Sequence, residues 1–248
     1  MSYTLDQLQV MILAGGLGTR LRPLVADRPK CLAPVGDSVF LEIILRLLKQ
    51  QGLRRFILCV GYKSEMVQSY FGNGEHLGVD IAYSDEGEHL LGTAGAIRKA
   101  LSLIDERAIV INGDTYFAIA YDDLLVCHQS NVKDSGLQLT VALSQKDDCS
   151  QCGSVTLNTA RNRITGFYEK GTQPGSRIGW VNAGAYLMER LLIEKIPQDI
   201  SSSLEKDIIP AEINAGRYPV AYLSNAPFFD IGTPASLELF RRHLSETE

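Results

Sequence analysis

The chain of 248 residues is poor in the residue types that mark several large protein classes. Its five cysteines are an odd number, and they are too few for a disulfide framework in a chain of this length. Cys149 and Cys152 form a C-x-x-C pair, but a structural zinc site needs four ligands and no second pair lies nearby. We therefore expect free thiols in a reducing compartment, and we assign no function to this pair.

An excess of basic residues and long apolar runs are also missing. Lys and Arg number 24 against 29 Asp and Glu, a net charge of −5 that argues against a broad nucleic-acid-binding surface. No apolar run reaches the roughly 18 residues that cross a bilayer, and Met1–Val10 lacks a signal-peptide pattern. We expect a cytoplasmic protein that binds neither nucleic acid nor membrane.

Hydrophobic patterning predicts an α/β protein. Short β-branched runs alternate with helical patterns in the first part, which is typical of βαβ units around a parallel sheet, and strands dominate after about Leu137. The predicted strands are Gln9–Leu13, Arg55–Val60, Val79–Tyr83, Ala108–Asn112, Leu137–Leu143, Ser154–Leu157, Ile164–Glu169, Trp180–Met188, Val220–Leu223 and Phe228–Ile231. The predicted helices are Phe40–Gln51, Glu65–Phe71, Ala94–Leu103, Leu191–Ile196, Leu204–Ala215 and one from Pro234, capped by Thr233. The expected architecture is Rossmann-like, with a mixed, mainly parallel sheet flanked by helices in a single domain.

A glycine-rich segment, Ala14–Pro23, directly follows the first predicted strand. Its glycines let the backbone turn tightly and bring N–H groups close to an anion. It is not a Walker loop, and Leu21 stands where a dinucleotide-binding motif has its third glycine. Arg20 and Arg22 in the loop, with Lys30 beyond it, supply cations that suit a triphosphate. The alternative is an ordinary turn with solvent-facing cations.

Gly-Gly-x-Gly-Thr-Arg-Leu-x-Pro followed by Pro-Lys resembles the signature of the sugar-1-phosphate nucleotidyltransferase family, and later motifs extend the resemblance over essentially the whole chain. It implies the GT-A-like fold of that family and transfer of a nucleoside monophosphate from an NTP to a sugar 1-phosphate. Arg20 and Lys30 are then expected to neutralise the triphosphate and the departing pyrophosphate. Cys31 follows the lysine where many relatives carry Pro, Ala or Gln, which puts no chemistry in doubt. The loop residues expected to contact the nucleotide are Leu13, Ala14, Gly15, Gly16, Gly18, Thr19 and Arg20.

A second glycine-containing segment, Leu91–Ala96, opens a predicted helix. By the resemblance, Gly92, Thr93 and Gly95 hold the base and ribose; taken alone, the segment equally suits a helix N-terminus packed closely against a strand. Just upstream, Glu86 and Glu88 are carboxylates that could accept from the N–H groups of guanine, whereas uracil and thymine suit an amide better. This favours GTP as the nucleotide.

Two acids are candidate metal ligands. Asp114 ends the apolar run Ile109–Asn112, and ligands of open α/β sheets collect at the carboxyl ends of strands, although an Asp that opens a turn is the alternative. Asp230 stands inside an apolar predicted strand, where burial of an acid is costly without a cation or strong hydrogen bonds. The resemblance implies that both bind Mg²⁺, which keeps few protein ligands and takes the rest from phosphates and water.

The resemblance also places a sugar-phosphate site in the second part of the chain. Glu169 and Lys170 would grip the sugar and its phosphate, although a surface salt bridge is the alternative reading. Gly153, Asn182 and Gly184 match the sugar-contacting positions. The division implied is a nucleotide-binding part, about 1–135, and a sugar-phosphate-binding part, about 136–248.

Two rival classes are less consistent with these motifs. A metal-dependent glycosyltransferase usually shows Asp-x-Asp, but Tyr116 replaces the second acid after Asp114. A catalytically silent binding subunit should have lost some charged residues, yet all five are present, namely Arg20, Lys30, Asp114, Lys170 and Asp230. Within the family, the motifs resemble guanylyltransferases acting on D-glycero-α-D-manno-heptose 1-phosphate. Mannose-1-phosphate guanylyltransferase and the uridylyl-, thymidylyl- and cytidylyltransferases stay open, and a homo-oligomer is possible.

Overall fold

The computed structural model describes residues 3–21, 25, 27–132, 138–147, 153–168 and 179–247. Its strands are β1 Gln9–Leu13, β2 Pro34–Val35, β3 Ser38–Val39, β4 Arg55–Val60, β5 Asp80–Asp85, β6 Arg107–Asn112, β7 Thr115–Phe117, β8 Leu139–Lys146, β9 Ser154–Asn158, β10 Arg163–Tyr168, β11 Gly179–Glu189, β12 Val220–Ser224 and β13 Phe228–Asp230. Its α-helices are α1 Phe40–Gln50, α2 Ser64–Phe71, α3 Gly92–Lys99, α4 Tyr121–Val132, α5 Arg190–Ile193, α6 Ile209–Asn214 and α7 Pro234–Thr247. None of the helices in these ranges has both the length and the apolar character that a membrane crossing requires.

Strands from both parts of the sequence join one central sheet. In the described residues its order is β5-β4-β1-β6-β11-β8-β12-β10-β9. The first four strands are parallel, β11 runs antiparallel to β6 and β8, and β12 is parallel to β8. The predicted α/β fold with a mixed sheet is confirmed. Its continuous parallel part is β5-β4-β1-β6, and antiparallel pairing predominates beyond β6.

Both faces of this sheet are covered by helices, because its central strands are apolar on both sides. Val10 and Ile12 of β1 pack on one face, while Met11 packs on the other. Side chains of α1, α2, α4 and α7 cover the first face, and those of α3, α5 and α6 cover the second. Each fully buried Leu, Ile or Phe in these layers contributes roughly 1.5–3 kcal/mol to the free energy of unfolding. The carboxyl ends of the parallel strands are left open at one edge.

Helix α4 is an element that the sequence patterning did not predict. Its inward positions Tyr121, Leu124, Leu125 and His128 have helical spacing, and all four are buried. The polar His128 obscures the apolar pattern, since its ring nitrogens bond Thr140 Oγ1 at 2.8 Å and Glu189 Oε1 at 2.9 Å. A buried histidine with two partners therefore takes the place of an apolar residue.

Two other predicted elements differ in kind. The predicted helix Leu204–Ala215 begins as a π-helical turn, Leu204–Ile208, and becomes α-helical only at Ile209–Asn214. The predicted strand at Phe228–Ile231 pairs with β7 in a separate two-stranded sheet, outside the central one. Both differences concern the edge of the sheet where the candidate site lies.

Candidate functional site

Three cavities lie along the open carboxyl edge of the sheet. They follow from the parallel pairing of β1 and β6, in which Leu13 is opposite Asn112, so that the glycine loop and Asp114 leave the sheet side by side. The cavities measure about 180, 250 and 490 Å³. Asp114 lines the first and second, and Asn112 lines the second and third, so the three adjoin one another along this edge, which is called the crevice below.

The first cavity lies between the glycine loop and the two acids. Lys30 Nζ is 2.6 Å from Asp114 Oδ2 and 3.7 Å from Asp230 Oδ1, so one ammonium group bridges both carboxylates. Gly18 has φ of +58°, and a Cβ there would lie 2.9 Å from Lys30 Cβ, so only glycine lets the loop pass this closely. The residues around this cavity are Leu13, Ala14, Gly16, Gly18, Thr19, Arg20, Lys30, Cys31, Gly113, Asp114 and Gly232.

A short backbone ladder sets Asp230 beside Asp114. Asp230 pairs with Thr115 in the β13–β7 ladder, and the N–H of Ile231 donates to Asp114 O at 3.0 Å. Asp230 lies in a strand, as expected, but this strand has three residues and the Asp230 side chain is 42% exposed, so the carboxylate does not bear the cost of full burial. A Cβ on Gly232 would lie 3.2 Å from Arg20 Nη2, which places the Arg20 guanidinium beside this segment.

The two acids fit a divalent cation. One oxygen of each carboxylate lies within 4 Å of Lys30 Nζ, and the two side chains are 37% and 42% exposed. No group of three or more His, Cys, Asp or Glu side chains with metal-binding geometry occurs in the described residues. Two carboxylates are what Mg²⁺ commonly takes from a protein when phosphates complete its shell. Burial raises the pKa of the neighbouring Cys31 thiol to about 12, so it stays protonated and is a poor metal ligand near neutral pH.

The second cavity is lined by Gly15, Gly16, Glu86, Gly92 and Thr93 among others. Glu86 Oε2 accepts the N–H of Leu91 at 2.6 Å, and burial raises the pKa of this carboxyl. Glu88 is exposed and lines none of the three cavities formed by the described residues. Of the two acids selected for base recognition, the structure therefore brings only Glu86 to the crevice.

Close backbone packing explains the small residues at the start of α3. Gly92 has φ of +72°, and a Cβ there would lie 2.5 Å from Ser202 O; a Cβ on Gly95 would lie 2.9 Å from Ile200 O. The N–H of Ala94 also donates to Ser202 O at 3.0 Å. The segment around Ser202 therefore lies directly on the helix N-terminus, which agrees with the close-packing interpretation of these glycines. Gly92 and Thr93 still line the second cavity.

The third cavity is lined by Asn112, Gly153, Phe167, Tyr168, Asn182, Glu205, Lys206 and Pro210. A register shift in β11 between Asn182 and Ala185 interrupts the ladder beside this cavity. Gly184 lies in the shift, and its N–H donates to Asn182 Oδ1 at 3.1 Å. Glu205 and Lys206 were not selected from the sequence, where they look like solvent-facing positions of a scaffold helix. The one feature of the sequence that could have marked them as site residues is the adjacent pair of opposite charges.

Several residues selected from the sequence lie outside the part of the chain that the structure describes. They are Arg22, Cys149, Cys152, Glu169 and Lys170.

An α/β sheet whose crevice is lined by glycine backbone, cations and paired acids is typical of proteins that bind phosphorylated ligands. Residues 9–246 match the Nucleotidyl transferase family, and the chain belongs to it. This confirms the predicted family and the predicted enzyme class.

Particular relatives are similar over most of the chain. A D-glycero-alpha-D-manno-heptose 1-phosphate guanylyltransferase of Aneurinibacillus thermoaerophilus is 37% identical over 92% of this chain and 94% of that protein. A mannose-1-phosphate guanylyltransferase of Mycobacterium tuberculosis is 35% identical over 92% of this chain and 62% of that protein. The crystal structure of HddC from Yersinia pseudotuberculosis complexed with GMP-PN has a TM-score of 0.80 at 29% identity, covering 96% of this chain and 99% of that one.

Proposed function

We propose that this nucleotidyltransferase transfers GMP from GTP to D-glycero-α-D-manno-heptose 1-phosphate, giving GDP-heptose and pyrophosphate for surface polysaccharide synthesis. The observation that carries the proposal is the convergence of Lys30 on Asp114 and Asp230 beside the glycine loop, in a crevice with two further cavities. The similarity to the heptose 1-phosphate guanylyltransferase supports the choice of both substrates. The cytoplasmic location and the homo-oligomer stay predictions.

The proposed reaction is an in-line displacement at the α-phosphorus of GTP. An oxygen of the sugar phosphate forms the new P–O bond, the bond between the α-phosphorus and the bridging oxygen to the β-phosphate breaks, and pyrophosphate leaves with that electron pair. The attacking phosphate is already an anion near neutral pH, so no general base is needed. The protein must instead hold two mutually repelling anions in line and stabilise charge on the leaving group.

The charged residues of the first cavity suit that task. The backbone N–H groups of the glycine loop and the side chains of Arg20 and Lys30 would bind the triphosphate and stabilise the leaving pyrophosphate. Asp114 and Asp230 would hold Mg²⁺, which when bound neutralises charge on the phosphate oxygens. The assignment of the acceptor phosphate to Lys170 stays a prediction.

The preference for GTP is supported by Glu86. One of its carboxylate oxygens accepts the Leu91 N–H, and the other lies against Gly15 in the second cavity. Guanine presents two adjacent kinds of N–H donor on its Watson–Crick edge, which a carboxylate can accept, whereas uracil presents one between two acceptors. The proposal for the base therefore depends on this single carboxylate.

The test is a matrix of GTP, UTP, dTTP and CTP against heptose, mannose and glucose 1-phosphates, with pyrophosphate release as the readout. We expect turnover with GTP and D-glycero-α-D-manno-heptose 1-phosphate to exceed every other pair. Faster reaction with mannose 1-phosphate would indicate that this compound is the acceptor, as the name of the M. tuberculosis relative states for that protein. Preference for another triphosphate would contradict the role of Glu86, and an Asp114→Ala variant supplies the background rate.

A further inference from the structure

Glu205 occupies a position between the second and third cavities that the proposed chemistry does not use. It stands in the π-helical turn Leu204–Ile208, and its carboxylate accepts hydrogen bonds from three hydroxyl groups. Tyr186 Oη donates to Glu205 Oε1 at 3.0 Å, while Thr93 Oγ1 and Ser203 Oγ lie 2.8 and 2.9 Å from Oε2. Thr93 lines the second cavity, and Glu205 lines the third.

This carboxylate fixes the direction of a hydrogen-bond relay that ends at Asn182. An ionised carboxylate only accepts, so Tyr186 must donate to it. Tyr186 is fully buried, and burial together with the Glu205 charge raises its pKa, so the phenol keeps its proton. The Tyr186 oxygen is then left to accept Asn182 Nδ2–H at 2.6 Å, while the Gly184 N–H donates to Asn182 Oδ1. The amide is thereby locked in one of its two orientations, with one N–H and one lone pair left over at the third cavity.

The same carboxylate fixes Thr93 on the other side. Because the Thr93 hydroxyl gives its proton to Glu205, its oxygen is free to accept, and it takes the Leu204 N–H at 2.7 Å. Thr93 belongs to α3, whose N-terminus is also held by the backbone of Ser202. One acidic side chain therefore determines the hydrogen-bonding state of a residue in each of two neighbouring cavities.

We propose that Glu205 is a positioning residue that presents Asn182 to the acceptor sugar and Thr93 to the nucleotide, so that both ligand sites are set by one carboxylate. The inference rests on the proposed function, since it concerns the two substrates of that reaction. Glu205 acts here through Asn182 and Thr93 and not by contact with the reacting atoms.

The decisive experiment measures kcat and both KM values for Glu205→Gln, Tyr186→Phe, Asn182→Ala and the double variant Asn182→Ala/Glu205→Gln. A glutamine has one acceptor oxygen and cannot serve three hydroxyl donors, so Glu205→Gln should raise both KM values, the acceptor KM about tenfold. Tyr186→Phe breaks only the relay to Asn182, and it should raise the acceptor KM while the GTP KM is unchanged. The double variant should have the acceptor KM of Asn182→Ala alone, because Glu205 acts through that amide.

Additive effects in the double variant would overturn the inference, because they would show that Glu205 meets the sugar independently of Asn182. An acceptor KM of Tyr186→Phe equal to that of the wild type would also overturn it, and this variant decides the matter if Glu205→Gln fails to fold. Glu194→Gln is the matched control, since Glu194 forms an exposed ion pair with Arg190, and it should behave as the wild type.

Failure of the proposed function is seen separately, in the wild type. If the wild type prefers another acceptor, the KM ratios are measured with that acceptor and the inference is judged unchanged. If it turns over no acceptor, calorimetric titration with GTP still tests Glu205→Gln, which should bind GTP more weakly than Glu194→Gln. Equal GTP affinities of these two variants would overturn the inference.

Discussion

The first and third cavities use opposite means to prepare for a ligand. At the first, the ammonium group of Lys30 lies between the carboxylates of Asp114 and Asp230. In the third, Asn182 is oriented by a buried phenol, and a single carboxylate stands behind it. Charged groups suit the binding of phosphates, whereas fixed dipoles suit a sugar that is recognised by the direction of its hydroxyls. The crevice therefore has an electrostatic end, formed by Lys30, Asp114 and Asp230, and a geometric end, formed by Asn182, Tyr186 and Glu205.

We expect the largest effect from removal of the metal, which should act mainly on the electrostatic end. Treatment with EDTA should reduce pyrophosphate release to the background rate, and Mg²⁺ should restore it, because phosphate charge then has no divalent partner. Binding of the sugar phosphate alone, measured by calorimetry, should change far less. Full activity in EDTA would refute the assignment of Asp114 and Asp230.

Asp114→Ala tests the electrostatic end within the protein. We expect kcat to fall by ~10²–10³-fold, as commonly follows from the loss of a preorganised electrostatic group. The fold should survive, since the Asp114 side chain is 37% exposed. Asp105→Ala is the control, because Asp105 forms an exposed ion pair with Arg55 at 2.8 Å and lines none of the three cavities of the described chain. Equal kcat values for the two variants would contradict the assignment.

Gly92→Ala tests the close packing of α3 on the segment around Ser202, between the two ends. A Cβ would lie 2.5 Å from Ser202 O in addition to the strain of a positive φ, so we expect a loss of about 3 kcal/mol in the free energy of unfolding. Gly36→Ala is the matched control: its φ is +57° but a Cβ there meets nothing within 4 Å, so only about 1 kcal/mol should be lost. Urea unfolding of both variants gives the comparison. Equal losses would show that packing against Ser202 is unimportant.

The smallest effect concerns Cys31, which lines the first cavity. Since burial raises the pKa of its thiol to about 12, iodoacetamide at pH 8 should leave Cys31 unmodified in the folded protein, and mass spectrometry of its peptide checks this. In urea the thiol returns to its ordinary pKa and should react. Rapid labelling of Cys31 in the folded enzyme would show that the first cavity is more open than its geometry indicates.

Local sequence patterns predicted the electrostatic end well. The strand Gln9–Leu13 was predicted with its observed bounds, and the glycine loop, Arg20, Lys30 and Asp114 lie together at its end. These features depend on neighbouring residues and on the rule that parallel strands end at one edge. The exposure of Asp230 could not be predicted, because its strand has three residues and pairs outside the central sheet.

The geometric end could not be read from one sequence. Glu205 bonds Thr93 across 112 positions, and no local spacing encodes such a contact. Tyr186 looks like an ordinary inward residue of a strand, and its hydroxyl acquires a function only from the turn that packs against it. Helix α4 was missed for a related reason, because the buried His128 is satisfied by Thr140 and Glu189, which lie on other elements.

The β13–β7 ladder makes the proposed metal site depend on both parts of the sequence. Its two strands are distant in the chain, and their pairing holds Asp230 beside Asp114, where the N–H of Ile231 donates to Asp114 O. A chain truncated before β13 would therefore keep the glycine loop and Asp114 but lose the second acid.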